Sequence, residues 1–332
     1  MYDECCLTQD SLCLYLLSQQ TKNQTIKQSN NQSNTMGACF SSDNHDVVLP
    51  AMEVVEKHHW KESNVFVDYD FIKKIGRGGN SEVWMATEKS SGMTVAIKAS
   101  LEDPETRDEL VKEFVMYKNF DSPNVLKPRC FYYTKSLTFM VMELYDNDLF
   151  TSIETIEYFD DSLLRKIVHE IASGIKIIHD KDIVHRDIKP ENIMIGDDGC
   201  CIVGDFGAAE HVDKITLTRL IGTTKFMAPE IVTGFFKSER SSFVVGKPID
   251  VYALGQLLYL AITKMHAIPS VKNSSVWEMQ KVVDVDMMPL IDDLDRSECL
   301  KDLLYGMLDP NPVQRFTIDE VLAHDFVKNS MF

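Results

Sequence analysis

Residues 68–88 alternate between apolar and polar side chains on both sides of a glycine cluster. Alternation with a period of two predicts half-buried β-strands, and the glycines between them predict a turn. Two further apolar runs, 94–99 and 137–142, have the length and the residue types of strands. The first part of the chain after residue 68 is therefore predicted to form a sheet with antiparallel neighbours.

In the rest of the chain, apolar residues recur mostly at the spacing of a helix. Residues 104–120 are predicted to form a helix, because acidic side chains near its start suit the helix dipole. Residues 161–180 carry an apolar stripe at intervals of three and four, which predicts a helix packed against a core. We interpret His169 and His179 on this helix as ordinary surface or packing residues. The last quarter of the chain is also predicted to be helical.

The composition is that of a globular protein. Of the 332 residues, 44% are hydrophobic and 26% are charged, which suits one large or two medium domains. The formal net charge of −17 argues against general nucleic-acid binding, which normally needs a basic surface. The eight cysteines lack the repeated C-x-x-C spacing of a zinc site, and their scatter favours reduced thiols. No apolar run reaches the length of about 18 residues expected of a transmembrane helix.

The amino-terminal region has a different composition. Residues 1–35 become strongly polar after Leu17, and such a segment is predicted to be disordered because it buries too little apolar surface. Residues 36–42, MGACFSS, fit the N-myristoylation pattern, with Cys39 as a candidate palmitoylation site. The modification requires Gly37 at a free amino terminus, hence translation from Met36 or processing. The alternative is a chance match in a polar segment.

The strongest chemical signal lies in residues 183–207, which contain HRDIKPEN and, further on, DFG. The order and separation of these motifs resemble the catalytic and metal-binding loops of eukaryotic protein kinases. The Lys-Pro-Glu run at 189–191 resembles the serine/threonine form. The resemblance covers about residues 68–328. It implies an α+β, bilobal protein-kinase fold, with a small, mainly antiparallel β N-lobe that contains one key helix and a larger, mainly helical C-lobe.

The resemblance also implies roles in phosphoryl transfer, which depends mainly on positioning and charge neutralisation. Asp187 would orient the substrate hydroxyl, and Lys189 would place positive charge beside the transferred phosphate. Asn192 and Asp205 would present oxygen ligands to Mg²⁺. Turn formation is the alternative explanation for such residues, and we adopt it only for 197–199.

Residues 76–83 resemble the glycine-rich loop G-x-G-x-x-G-x-V, except that Ser81 replaces the third glycine. Gly76 and Gly78 would let backbone amides approach the nucleotide phosphates. Lys98, the last residue of a V-A-I-K match, would hold the α- and β-phosphates. Its expected ion-pair partner is Glu113, with Glu109 as the alternative. The resemblance places further residues at the nucleotide, namely Val83, Ala96, Glu143, Leu144, Tyr145 and Met194.

Residues 208–230 resemble an activation segment that closes with Ala-Pro-Glu, and Gly222-Thr223 within it resemble the family's substrate-facing turn. Arg186 suggests a pocket for a phosphorylated loop residue. The commonest acceptor position carries Arg219, which leaves Thr216 or Thr218 as candidates. A small insertion is expected between Glu230 and Asp250.

Two buried charges are expected to be structural. Asp250 would brace the backbone of His185 and Arg186, since a buried charge needs such partners. Arg315 would form a bidentate ion pair with Glu230.

The sequence thus predicts a disordered extension at 1–67, an N-lobe at 68–145 and a C-lobe at 146–332. The expected function is ATP-dependent, Mg²⁺-assisted transfer of the γ-phosphate to Ser or Thr of protein substrates. A nucleotide-binding pseudokinase is the alternative, and a small-molecule phosphotransferase is disfavoured by the complete activation segment.

Glu191, and less strongly Asp146 and Asp148, are candidates for contacting basic substrate residues; surface solvation is preferred for the two aspartates. We expect a cytoplasmic location, with membrane association only if Gly37 is exposed and acylated.

Overall fold

The structure is a computed structural model that describes residues 60–61, 65–101, 104–133, 137–216, 220–236, 246–271 and 275–328. It divides into two compact units. The first contains the described residues up to Val115 together with Lys127–Leu144, and the second contains Met116–Leu126 and the described residues from Tyr145 onwards. The predicted disorder at 1–35 and the acylation motif at 36–42 lie outside the described residues.

The first unit is built on a six-stranded sheet in the order β1–β5–β6–β4–β3–β2. Neighbours are antiparallel except for β1 and β5, which are parallel. The elements of this unit are β1 (Trp60–Lys61), α1 (Val65–Asp68), β2 (Tyr69–Arg77), β3 (Ser81–Glu88), β4 (Thr94–Ser100), α2 (Pro104–Tyr117, whose last two residues belong to the second unit), β5 (Cys130–Tyr133) and β6 (Thr138–Glu143).

One face of this sheet carries an apolar core. Burial alternates along β3, as the sequence pattern predicts for a strand with one covered face. Val65 and Phe66 of α1 are buried in the same core, and the Phe66 ring lies 5.0 Å from that of Phe71. Residues before the predicted boundary at residue 68 therefore belong to this unit, because this short helix contributes apolar side chains to the core of the sheet.

The second unit is mainly helical. Its helices are α3 (Leu149–Thr155), α4 (Asp161–His179), α5 (Pro229–Phe236), α6 (Pro248–Thr263), α7 (Val276–Val283), α8 (Met287–Asp292), α9 (Glu298–Met307), α10 (Ile318–Ala323) and α11 (Asp325–Lys328). Its strands are β7 (Asn147–Asp148), β8 (Ile183–Val184), β9 (Ile193–Ile195), β10 (Cys201–Val203) and β11 (Glu210–His211). They form a three-stranded sheet, β10–β9–β7, and the two-stranded pair β11–β8. A sheet-rich unit followed by a helical one confirms the predicted α+β class.

The predicted helices are present with shorter ends. The apolar stripe of α4 is buried, and the Asp160 side chain caps its first turn by accepting a hydrogen bond from Leu163 N. Helix α2 ends at Tyr117 rather than at Phe120, because the chain turns there and packs the Phe120 ring 5.1 Å from the Phe206 ring. Among the described residues, no helix combines the length and the apolar character needed to cross a membrane.

Candidate active site

The first unit contains the expected lysine–glutamate pair. Lys98 Nζ on β4 donates to both carboxylate oxygens of Glu113 on α2, at 2.8 and 2.7 Å. Both side chains are largely buried, so this contact is a strong, charge-assisted one. The alternative partner, Glu109, instead accepts a hydrogen bond from Asn80.

Strand register brings the other predicted nucleotide residues of this unit into neighbouring positions. Gly76 on β2 pairs with Val83 on β3, and Val83 pairs with Lys98 on β4. Ala96 lies between Met85 and Met142, and exposed Glu143 ends β6 opposite Val95. Gly78 N donates to Ser81 O at 2.8 Å and closes the turn between β2 and β3. Ser81, which stands where the pattern has glycine, thus accepts this hydrogen bond with its backbone oxygen. A residue of any type could do the same.

The remaining nucleotide candidates belong to the second unit. Tyr145 is half-buried just before β7, and Met194 lies on β9 opposite Asp148 and Ile202. Asp148 itself caps α3, since its side chain accepts from Thr151 N at 2.7 Å. Asp148 therefore caps a helix, a role that the preferred interpretation of surface solvation did not include, while Asp146 and Glu191 are exposed.

Asp187 lies at the centre of a dense hydrogen-bond cluster. Its Oδ1 accepts from both Thr223 N and Thr223 Oγ1 at 2.9 Å. Its Oδ2 accepts from Lys189 Nζ at 2.7 Å and from Asn192 Nδ2 at 3.1 Å. Because these donors surround both oxygens, the Asp187 carboxylate is held in one orientation. The structure therefore brings the three predicted catalytic residues, Asp187, Lys189 and Asn192, together.

Thr223, which the sequence places in a substrate-facing turn, makes contacts with the catalytic residues that the sequence reasoning did not predict. Its hydroxyl donates to Asp187 and accepts from Lys189 Nζ at 3.1 Å. The preceding Gly222 has a φ of +99°, and a Cβ there would lie 2.4 Å from Arg186 O. Only glycine permits this close approach, which brings Thr223 to Asp187. The signal was present in the sequence as a Gly-Thr pair within the activation segment.

Asp205 follows β10 with a left-handed φ of 59°. Its backbone N donates to Tyr117 OH at 2.8 Å, and the next residue, Phe206, is buried with its ring 4.6 Å from that of Tyr117. Asn192 is linked to the same segment, because its backbone O accepts from Gly204 N at 2.9 Å. The two predicted metal ligands therefore lie on connected backbone segments of one unit.

The catalytic loop is braced by a buried aspartate, as expected. Asp250 Oδ2 accepts from His185 N and Asp250 Oδ1 from Arg186 N, both at 2.8 Å. His179 Nε2 is a third partner, 2.9 Å from Oδ2. His179 is only 3% exposed, so our interpretation of it as an ordinary helix residue was incomplete.

Arg186 is half-buried beside the activation segment. Its Nε donates to Ala208 O at 2.6 Å. Burial lowers the pKa of this guanidinium, while the carboxylates of Glu210 and Asp250 act in the opposite direction. Thr216 is exposed, and Thr218 and Arg219 lie outside the described residues, as does 237–245 of the expected insertion.

A pocket open to solvent lies beside Asp187. Arg186, Thr216 and Thr223 contribute polar groups to it, and Ile221, Met227 and Ile231 are among its apolar walls. The segment that follows Met227 is held by a buried ion pair. Arg315 donates to both oxygens of Glu230, at 2.6 and 3.0 Å, which confirms the expected ion pair.

Comparison with known sequences agrees with this arrangement. The family described as "Protein kinase domain" matches residues 69–327. The chain belongs to the protein kinase domain family. It is 24% identical over 316 residues to Aurora kinase of Schizosaccharomyces pombe, which covers 93% of this chain and 85% of that protein. It is 23% identical over 266 residues to Aurora kinase B of Danio rerio, covering 79% of each.

A third relative is the probable serine/threonine-protein kinase pXi of Dictyostelium discoideum, 28% identical over 272 residues. That alignment covers 80% of this kinase and 36% of the relative. The kinase catalyses ATP-dependent transfer of phosphate to serine or threonine. The predicted family, fold class and reaction are thereby confirmed, and no finding favours the pseudokinase alternative.

Proposed function

We propose that Asp187 is the catalytic residue that orients the substrate hydroxyl in this kinase. The observation that carries the proposal is the cluster of donors from Thr223, Lys189 and Asn192 around its two carboxylate oxygens. Phosphoryl transfer gains most from such positioning. The substrate hydroxyl would donate to Asp187 while its oxygen attacks the γ-phosphorus and the bond to the β-phosphate oxygen breaks. Lys189 would stabilise the charge on the transferred group.

We propose that the Lys98–Glu113 pair and the turn at 76–83 bind the nucleotide phosphates. Glu113 holds Lys98 Nζ in place, and the lysine would contact the α- and β-phosphates. A Cβ on Gly76 or Gly78 would meet no atom of the described residues closer than 3.5 Å, so the turn itself does not require glycine there. Glycines that the turn does not need for its own packing support a role in admitting phosphates close to the amides.

Asn192 and Asp205 suit Mg²⁺ by their chemistry. Both offer oxygen ligands, and Asn192 already uses its Nδ2 for Asp187, which directs its Oδ1 elsewhere. Among the described residues no cluster of three or more His, Cys, Asp or Glu could hold a metal alone. Mg²⁺ typically binds one or two protein groups together with substrate phosphates, so this sparse donor set fits it. When bound, Mg²⁺ would neutralise phosphate charge.

The pocket beside Asp187 supports protein substrates in particular. Its apolar walls would accept an apolar side chain near the acceptor residue. Exposed Glu191 remains our candidate for contacting a basic substrate residue. A phosphorylation screen with a peptide library tests both preferences at once.

The reaction is tested by measuring transfer of label from ATP to a generic basic protein by wild type and by Asp205→Ala. Asp197→Ala is a matched control, because Asp197 is an exposed aspartate in the turn between β9 and β10, the strand that precedes Asp205. We expect the loss of activity in the Asp205 variant only. Equal labelling by wild type and Asp205→Ala would refute the metal role, and absence of labelling by wild type would favour the pseudokinase alternative.

We propose a cytoplasmic location, with membrane attachment limited to a form of the kinase that exposes Gly37 and carries an acyl chain. The support is the sequence pattern alone, since this segment lies outside the described residues. Mass spectrometry of the mature amino terminus tests the proposal. An unprocessed start at Met1 would refute membrane attachment by this route.

A further inference from the structure

A one-residue bulge interrupts the pairing of β2 with β3 just before the glycine turn. Lys74 lies opposite Trp84, but the next pair joins Gly76 to Val83, so Ile75 is the extra residue of the bulge. Side chains alternate between the two faces of a strand, and Lys74 and Gly76 would therefore share a face in a regular strand. The bulge places them on opposite faces instead.

The two faces of the sheet differ in their chemistry. Val83 pairs with both Gly76 and Lys98, so these three positions lie on one face, which we call the lysine face. Glu82 and Trp84, on either side of Val83, belong to the opposite face, where both are buried. The bulge therefore puts a residue without a side chain on the lysine face, beside the group proposed to bind phosphates.

Glu82 is a buried carboxylate with two cations beside it. Lys74 Nζ donates to Glu82 Oε1 at 3.2 Å, and Arg77 Nη1 lies 3.9 Å from the same oxygen. The two cations are three positions apart and would point to opposite faces of a regular strand, so the bulge is what brings both to the face of Glu82. Glu82 is only 4% exposed, and a buried charge needs such partners. We propose that Glu82 is a positioning residue for ATP binding, acting on Gly76 through the bulge that these ion pairs hold.

The first half of β2 is held by the apolar core. Phe71 packs against Trp84, with 6.0 Å between the ring centroids. Loss of the bulge would therefore shift the glycine end of the strand rather than its start. Ile75 would then lie opposite Val83, and its branched side chain would stand on the lysine face where Gly76 leaves the backbone open. One of the two cations would also move to the lysine face, so the ion pairs oppose this shift.

This inference rests on the proposed binding of phosphates by the turn at 76–83. Glu82→Met keeps the length of the side chain and removes its charge, and Lys74→Met removes one of its partners. The double variant removes both at once. Glu88→Met is the matched control, because Glu88 lies at the other end of β3 and accepts a hydrogen bond from Ser91 Oγ in the turn that follows.

The measurements are the KM for ATP, kcat, thermal stability, and amide hydrogen exchange of residues 76–83 in the full chain. In Glu82→Met and in Lys74→Met we expect the KM for ATP to rise roughly tenfold, because the apparent affinity falls with the fraction of molecules in the competent register. At saturating ATP, kcat should change less than about threefold, since bound nucleotide selects that register. Exchange at 76–83 should accelerate in both variants. The double variant should show no larger KM than the more affected single variant, because the two residues act as one unit.

A merely structural role would lower thermal stability but leave the KM for ATP and exchange at 76–83 as in the Glu88→Met control, which would overturn the proposal. Single effects that multiply in the double variant would also overturn it, because they would show independent roles. If Glu82→Met does not fold, Lys74→Met carries the same comparison, since Lys74 is partly exposed. A wild type that binds no ATP would refute the proposed function itself, whereas equally tight binding by wild type and Glu82→Met would refute this inference alone.

Discussion

Replacing Arg315 with methionine should destabilise the kinase strongly. Arg315 and Glu230 are both buried, and the two carboxylate oxygens of Glu230 each accept from the guanidinium. Arg315 also donates to the backbone oxygens of Asp309 and Pro248, at 2.9 and 3.0 Å. Methionine retains most of the apolar length of the side chain but none of these donors, so Glu230 is left as an uncompensated buried charge.

The expected magnitude follows from this geometry. Removing one partner of a buried ion pair typically costs about 3–5 kcal/mol. For a folded unit of about 150–250 residues, each kcal/mol lowers the melting temperature by about 2–4 °C. The Arg315→Met variant should therefore melt roughly 6–20 °C below wild type.

The assay is thermal unfolding monitored by circular dichroism, with Lys281→Met as the control. Lys281 forms an ion pair with Glu278 at 2.9 Å, but its side chain is about half-exposed, and such pairs are worth about 0–1 kcal/mol. Replacing both Glu230 and Arg315 with apolar residues should cost less than the sum of the single changes, because no unpaired charge remains. An Arg315→Met variant that melts within about 2 °C of the Lys281→Met control would refute the reasoning.

Two further predictions concern activity. Glu113→Gln should reduce kcat/KM for ATP at least tenfold, because it removes the charge that holds Lys98. The control Glu109→Gln should change kcat/KM for ATP less than about threefold, since Glu109 bonds to Asn80 instead. Steady-state kinetics of both variants would show which glutamate is the partner of Lys98. Thr223→Val should lower kcat about tenfold to a hundredfold by removing the hydroxyl contact to Asp187, and Thr223→Ser should retain most activity; equal rates for Val and Ser would show that the hydroxyl is unimportant.

The sequence pattern predicted much of the fold, because neighbouring residues along the chain specify these strands and this helix. The alternation around the glycine turn gave β2 and β3, and the apolar stripe at 161–180 gave α4 to within one residue of its end. The short segments at Trp60–Lys61 and Val65–Asp68 were missed, because two to four residues are too few to show a period. Their order comes from pairing with β5 and from packing in the core.

The site was partly predictable for a related reason. The motifs identified Asp187, Lys189 and Asn192 because all three lie within one short loop. The contact of Thr223 with Asp187 and that of His179 with Asp250 were missed because the partners are distant in sequence, by 36 and 71 residues respectively. A helical histidine gives no local indication of such a partner, so its role emerges only from the folded chain.

The central claim concerns the carboxylate of Asp187, and Asp187→Asn tests it most directly. The measurement is the rate of phosphate transfer from ATP to protein serine or threonine, made alongside a melting curve of the same preparation. We predict that the variant keeps the fold and loses about two to four orders of magnitude in rate. A folded Asp187→Asn variant with the turnover of wild type would contradict the account.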